Sequence, residues 1–463
     1  MSASGGDERT TVQVPGLTRD ERRELQRETI ALLARLLQAD TTNPPGNETR
    51  AALVLQEYFA GHGLDAQLVG DLPDRQNLIV RLSGARRGPR LGLLGHLDVV
   101  PAEADEWTLP PFCGAVRDGY VWGRGATDMK NQVAAQAVAV TRLARAGAPF
   151  AGELLFMATA DEERGDYCGA RWLVRQRPDL VRCDYLLNEG GGTYSVVDGT
   201  RLYPLTVGEK AFADFRITVR GPGGHGSVPQ HDRNPVERLG RVISAIADHE
   251  AAVFVAPFTA RYIDRLVADR RLGERLKDPA QARAAIRELH ATDPESACEI
   301  EPLLGITFSP TILHGGGAAV NVIPSHASVD IDCRILPGYT GDDVRREVDA
   351  ALAGIDGWEF AWTDLTDANE SPVPTPLSAA VERVMDVLVP GAEVIPLHLC
   401  GFTDSRWFRE AFPDIVAYGF CPFVAEDTAT MGGREHARDE RIAVEDVPFQ
   451  TRFFELLVGE LLA

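Results

Sequence analysis

Apolar residues recur at helical spacing through residues 18–38 (TRDERRELQRETIALLARLLQ), and Thr18 stands where an N-cap belongs. Asn43-Pro44-Pro45-Gly46 breaks the chain, and AALVLQEYFAGHG reads as a second helix closed by glycine. Short apolar runs follow: NLIVRL (77–82), LGLLGHLD (91–98), ELLFMATA (153–160) and YLLN (185–188). They read as buried strands, and an Ala-rich helix over 129–146 separates two of them. Strands alternating with helices predict an α/β layered domain on a largely parallel sheet.

Near residue 209 the pattern changes. AFADFRITVRG alternates apolar and polar positions, as a strand with one solvated face does. A helix over about 235–249 follows, then polar and helical material to about 300. The strands ITFSPTILHGG and ASVDIDCRI, a helix over 341–353 and the strand WEFAW complete a β-α-β-β-α-β order, the ferredoxin-like arrangement. SPVPTP (371–376) reads as a linker, after which helix and strand alternate again. The expectation is a catalytic domain in two parts, 1–208 and 372–463, with a smaller α+β lid domain over 209–371 inserted between them.

Composition narrows the function classes. With Lys+Arg 47 against Asp+Glu 68, the 463-residue chain carries a net charge of −21. So acidic a surface repels phosphate backbones, which argues against a nucleic-acid protein. No stretch reaches the roughly 18 apolar residues that cross a bilayer, so no membrane role is expected. The first residues, MSASGGDERTTVQVPG, lack a signal-peptide core and read as a short disordered tail. Seven scattered cysteines without a C-x-x-C pair argue against a disulfide framework or a thiolate zinc site, and point to the cytoplasm.

Four polar clusters stand where apolar runs stop, the edge at which open α/β sheets collect ligands. In Gly-His96-Leu-Asp98, residues i and i+2 of a strand face the same way, so the Asp98 carboxylate can accept the free imidazole N–H of His96; the bland reading is a polar strand end. In Gly-Arg-Gly-Ala-Thr-Asp128-Met-Lys, Asp128 could equally be the N-cap of the helix behind it. Asp161-Glu162-Glu163 could be a solvated loop, or a metal ligand beside a general base. Asn188-Glu189-Gly-Gly-Gly by itself is a glycine-rich turn, and His436 by itself a surface histidine in a charged loop.

Taken in order, H-x-D, G-x-x-D-M-K, D-E-E, E-G-G and a distal E-H resemble the co-catalytic zinc amidohydrolases and metallopeptidases. That family includes aminoacylase-1, carboxypeptidase G, carboxypeptidase S, acetylornithine deacetylase and succinyl-diaminopimelate desuccinylase. The resemblance runs over about residues 20–460 and implies a zinc-peptidase-like α/β/α catalytic domain with the inserted ferredoxin-like lid. It implies two Zn²⁺, with Co²⁺ or Mn²⁺ as substitutes. His96, Asp128 and Glu189 then hold one ion, and Asp128 bridges to a second held by Glu163 and His436. Glu162 becomes the general base to a metal-bound hydroxide, and Asp98 the partner of His96. In the lid, His225 of Gly-Pro-Gly-Gly-His-Gly-Ser matches the oxyanion histidine that often reaches the site from a partner subunit. Asn321 matches an asparagine near the substrate, and Arg334 the clamp on a substrate carboxylate; a salt bridge within the lid strand would also explain Arg334. The stretch 221–226 formally reads G-x-G-x-x-G, but Pro222, Pro229 and the lack of an immediate helix disfavour a dinucleotide turn.

The implied reaction is hydrolysis of an amide bond beside a free carboxylate, in an N-acyl amino acid or short peptide, by a homodimer joined through its lids. Gly-Phe-Thr-Asp-Ser-Arg (401–406) departs from the G-G-T-S-D form of the desuccinylases and leans towards the carboxypeptidase S and N-acyl-amino-acid hydrolase branch. An acetylornithine deacetylase or desuccinylase-type deacylase and a di-zinc aminopeptidase are the alternatives. A non-catalytic binding protein is disfavoured because every expected ligand is present, and a serine hydrolase because no G-x-S-x-G elbow occurs.

Overall fold

A reciprocal capping box starts the first helix. In the computed structural model, which describes residues 15–147, 149–165, 167–229, 231–317 and 319–463, that helix runs Arg19–Gln38. The Glu21 N–H donates to Thr18 Oγ1 while the Thr18 N–H donates to the Glu21 carboxylate. The second expected helix runs Thr49–Gly61. The tail expected at the N-terminus lies, up to residue 14, outside the described residues.

The chain divides into two units. One comprises the chain up to Val207, Ser371–Pro396 and Thr403–Ala463; the other is Gly208–Glu370 with Leu397–Phe402. Sequence reasoning put that last short segment in the catalytic domain. It groups with the second unit, where the Lys210 N–H donates to the Leu399 carbonyl. SPVPTP is more than a linker, because its Thr375 caps the helix Pro376–Leu388.

The large sheet of the first unit is mixed rather than largely parallel. Arg86–His96 lies between Ala151–Thr159 and Tyr185–Asn188, parallel to both, and Val416–Gly419 extends the parallel run. Asn77–Ser83 pairs antiparallel with both Ala66–Val69 and Ala151–Thr159. Between Val69 and Asn77 there is no helix, so those two strands can only form a hairpin. The central strands are apolar on both faces, with Leu91, Leu93, Leu94 and Leu154–Ala158 buried. The helix Lys130–Ala146 is buried over its first twelve residues, and Gly147 ends it in the left-handed region at φ +57°. Among the described residues, no helix is long and apolar enough to cross a membrane.

Register positions the site. His96 stands opposite Thr159 at the carboxyl ends of two parallel strands, and Tyr185–Asn188 runs the same way beside them. The residues that follow all three strands therefore emerge at one edge.

The second unit builds the predicted β-α-β-β-α-β order. Its sheet runs Thr307–Gly315, His326–Ile335, Phe215–Arg220, Trp358–Trp362, every neighbour antiparallel. The helices Pro235–Ala247 and Gly341–Ala351 contribute Val242, Ile246, Val344 and Val348 to a core shared with Phe215, Ile217, Val329 and Ile331. The helical stretch after residue 256 forms four helices with a cluster of its own around Ile263, Leu276, Ile286 and Ile300.

Candidate metal centre and active site

His96 ends its strand almost fully buried, at 2% exposure. Asp128 does not cap the helix behind it: Met129 holds the cap position and no side chain bonds there. The Asp128 carboxylate instead faces two histidines. Its Oδ1 lies 3.0 Å from His96 Nε2 and its Oδ2 lies 3.0 Å from His436 Nε2. Glu189 Oε2 stands 3.5 Å from His96 Nε2, and Glu163 Oε2 stands 3.2 Å from His436 Nε2. Donor atoms of His96, Glu162 and Glu189 come within 4.8 Å of one another, as do those of His96, Asp128 and Glu163. Asp128 thus stands between two sets of nitrogen and oxygen donors, His96 with Glu189 on one side and His436 with Glu163 on the other. Such sets suit a pair of divalent ions, and no thiolate is among them.

Asp98 is placed differently from expectation. The His96 Nδ1 lies 3.0 Å from the main-chain carbonyl of Asp98, while the carboxylate Oδ1 stands off at 3.6 Å. That carboxylate accepts the N–H groups of Glu162 and Glu163, each at 3.1 Å, and the side-chain amide of Asn43 at 2.9 Å. The left-handed φ of +61° at Asp161 turns the chain just before these two glutamates, and two donor N–H groups in succession then converge on Asp98. Asp98 orients the imidazole through its backbone and the glutamate pair through its side chain.

The electrostatics of the cluster follow from burial among carboxylates. Burial pushes the Glu162 carboxyl well above its ordinary range, with Glu189 adding to the effect. Burial also raises Glu163 and lifts Glu189 to about 7. Asp128 goes the other way, because its bonds to His436 and His96 outweigh burial. Hydrogen bonds to Asp128 and Glu163 raise His436 to about 10. Burial opposes a proton on His96, but Glu189 and Asp128 hold its pKa well above the usual imidazole value. A divalent ion that takes these nitrogens displaces protons, so its binding is coupled to pH.

The second unit brings His225 and Asn321 together. Gly224–His225 pairs with Val322–Ile323, and the Gly226 N–H donates to the Asn321 carbonyl at 2.7 Å. His225 is exposed, and its Nδ1 accepts the Ser227 N–H at 3.1 Å. A main-chain N–H can only donate, so the neutral ring carries its proton on Nε2. Arg334 forms the salt bridge that was its alternative reading: Nε and Nη2 fork onto Asp332 at 2.7 and 2.9 Å, and the guanidinium lies 3.9 Å from the centre of the Phe212 ring.

Sequence reasoning missed Asn43, Arg124 and Glu440. Asn43 had been read only as part of a chain break, yet its side chain joins Asp98 to Asp161. Glu440, read as part of a charged loop, is fully buried and accepts the Asp128 N–H from 312 positions away. No local spacing signals a contact of that range.

Residues 92–460 match the family model described as peptidase family M20/M25/M40. The chain belongs to this family. It is a metal-dependent hydrolase on the M20 scaffold. It is 27% identical over 439 residues to a succinyl-diaminopimelate desuccinylase of Methylorubrum extorquens, covering 92% of this chain and 96% of that one. A desuccinylase of Cereibacter sphaeroides is 26% identical over 440 residues, covering 92% and 97%. Among solved structures, an M20 metallo-carboxypeptidase from Sulfolobus solfataricus aligns with a TM-score of 0.69 at 19% identity, covering 94% and 99%. Human carnosine dipeptidase 1 aligns at 0.61 and 17%, covering 96% and 98%.

Proposed function

We propose that this M20 chain binds two zinc ions and hydrolyses an amide bond next to a free carboxylate, in an N-acyl amino acid or short peptide. The observation that carries the reading is the Asp128 bridge, one oxygen 3.0 Å from His96 and the other 3.0 Å from His436. In this reading His96, Asp128 and Glu189 hold one ion, and Asp128, Glu163 and His436 the other; Co²⁺ or Mn²⁺ would suit the same donors. When bound, the ions supply a Lewis acid and lower the pKa of water.

The chain's own residues supply the rest. Glu162 takes the proton of the attacking water and delivers it to the leaving amine, and its raised pKa lets it hold that proton between the two transfers. Asp98 fixes the main chain of Glu162 and Glu163. His225, protonated on Nε2, offers that N–H to the oxyanion, and Asn321 lies beside it as a second polar group for the substrate. Asp332 occupies Nε and Nη2 of Arg334, which leaves Nη1 for the substrate carboxylate, and Phe212 keeps the guanidinium plane in place.

The desuccinylase relatives favour a second reading, removal of a succinyl group from a diaminopimelate-type amine. Gly-Phe-Thr-Asp-Ser-Arg in place of G-G-T-S-D puts N-acyl amino acids first. A homodimer through the lid is part of the proposal. Thr307–Gly315 is an edge strand, paired on one side by His326–Ile335, and it exposes Ile312 at 53% and Leu313 at 69%. Seven free cysteines suit a reducing cytoplasm.

The test is a screen of zinc- and cobalt-loaded protein over N-acyl amino acids, dipeptides blocked at either end and N-succinyl-diaminopimelate, with chelator controls. Chelator-sensitive cleavage that requires the free carboxylate is expected. Cleavage that requires a free amine and tolerates a blocked acid would establish an aminopeptidase instead.

A further inference from the structure

Two loops far apart in sequence carry Asp128 and His436, and a buried ion pair ties them together. The Glu440 carboxylate collects five donors. Its Oε1 accepts the Thr127 N–H at 2.7 Å, the Thr127 hydroxyl at 2.9 Å and the Asp128 N–H at 3.1 Å. Its Oε2 accepts the Gly125 N–H at 3.0 Å and Arg124 Nη1 at 2.8 Å. Gly125, at φ +89°, gives the loop a turn that brings donors on either side of Ala126 to the same carboxylate. From the other end of the pair, Arg124 Nη2 donates to the His436 carbonyl at 3.3 Å and to the Pro101 carbonyl at 3.4 Å. Glu440 is fully buried and Arg124 is 3% exposed.

His436 needs such an anchor. Its imidazole is 55% exposed, so side-chain packing leaves it loosely held. Its backbone sits at φ +60°, a left-handed conformation that a residue with a Cβ adopts only where the surroundings impose it. Holding is done through the main chain: Arg124 takes its carbonyl, and three residues on, the Asp439 carboxylate accepts the N–H and hydroxyl of Thr108 at 2.7 and 2.8 Å. Arg124 itself lies over the Trp107 ring at 5.2 Å.

We propose that Glu440 and Arg124 are positioning residues that set the separation of Asp128 and His436, and so preform the half of the site in which those two side chains meet. The inference rests on the two-metal reading. Glu440 has no contact with the ions in this reading and acts through the Gly125–Asp128 loop and through Arg124. An amide at position 440 keeps one acceptor and turns an NH₂ towards N–H donors, so Glu440→Gln disturbs the loop while preserving shape.

The test is titration of the metal-free protein with Zn²⁺ against a chromophoric chelator, with thermal unfolding measured alongside. Wild type should take two Zn²⁺. Glu440→Gln should weaken the second by ~10–100-fold, the usual effect of losing a group that orients a metal ligand. Arg124→Lys, which keeps a cation on Glu440 and gives up the fork to His436, should fold and show the same loss in smaller measure. Glu455→Gln serves as the control, since it removes an ion pair with Arg142 and Arg452 remote from these ligands. It should lower the melting temperature and leave both affinities unchanged. Wild-type Zn²⁺ affinity in both site variants, or an equal loss in the control, would overturn the proposal. A wild type that takes no Zn²⁺ would overturn the two-metal reading instead.

Discussion

Asp128 makes the clearest residue-scale prediction, because its two oxygens face different histidines. Asp128→Ala should lose both ions by elemental analysis of metal-saturated, folded protein. Glu162 and Glu163 are neighbours with different surroundings, since it is the Glu163 carboxylate that bonds His436. Glu163→Ala should therefore weaken one metal, whereas Glu162→Ala should keep both and lower the rate by ~10²–10⁴. Equal metal loss in the two variants would overturn this division of roles. The pH dependence has a definite sign. The native metal-free protein holds the Glu189 proton up to about pH 7 against a reference value of 4.5, so this stabilising contribution is full below 4.5 and gone above 7. Metal binding strengthens over the same range as protons leave the ligands. The gain in melting temperature on adding Zn²⁺ should grow between pH 5 and 8, and a flat profile would remove this linkage.

Elements divide the D-M-K motif between two jobs. Asp128 faces the histidines, but Lys130, fully buried, donates Nζ to the carbonyls of Leu36 and Ala39 at the end of the first helix. Burial lowers its pKa to about 8. Lys130→Met strands those carbonyls and should cost roughly 1–3 kcal/mol in denaturant unfolding, with metal content kept. Loss of both ions at unchanged stability would place Lys130 in the site. The helices were legible because their signals are local, as Thr18 and Glu21 show. The mixed sheet was less so, since an apolar run does not announce the direction of the strand beside it.

For the whole molecule, the proposed dimer is the part that most needs a solution measurement. Leu313→Lys places a charge on the edge strand Thr307–Gly315 and should shift the mass by light scattering from dimer to monomer. If His225 serves a partner's site, mixing His225→Ala with Glu162→Ala protein should restore activity, because a mixed dimer carries one intact site. No recovery after confirmed subunit exchange would assign His225 to its own chain or to no catalytic role. A mass unchanged by Leu313→Lys would move the dimer contact away from that strand.

By itself the sequence determined the α/β domain with its α+β insertion, and it marked candidate residues at strand ends (His96, Glu162, Glu163 and Glu189), before a helix (Asp128) and in a charged loop (His436). Strand period, capping and the order of short motifs are written in neighbouring residues, so they can be read along a line. Tertiary structure alone decided that the Asp98 carboxylate serves the Glu162 and Glu163 main chain, and that Glu440 grips the loop of Asp128. The reason is physical. A carboxylate accepts from whichever donors the folded backbone turns towards it, and in a buried site those donors come from segments that meet only after the chain has folded.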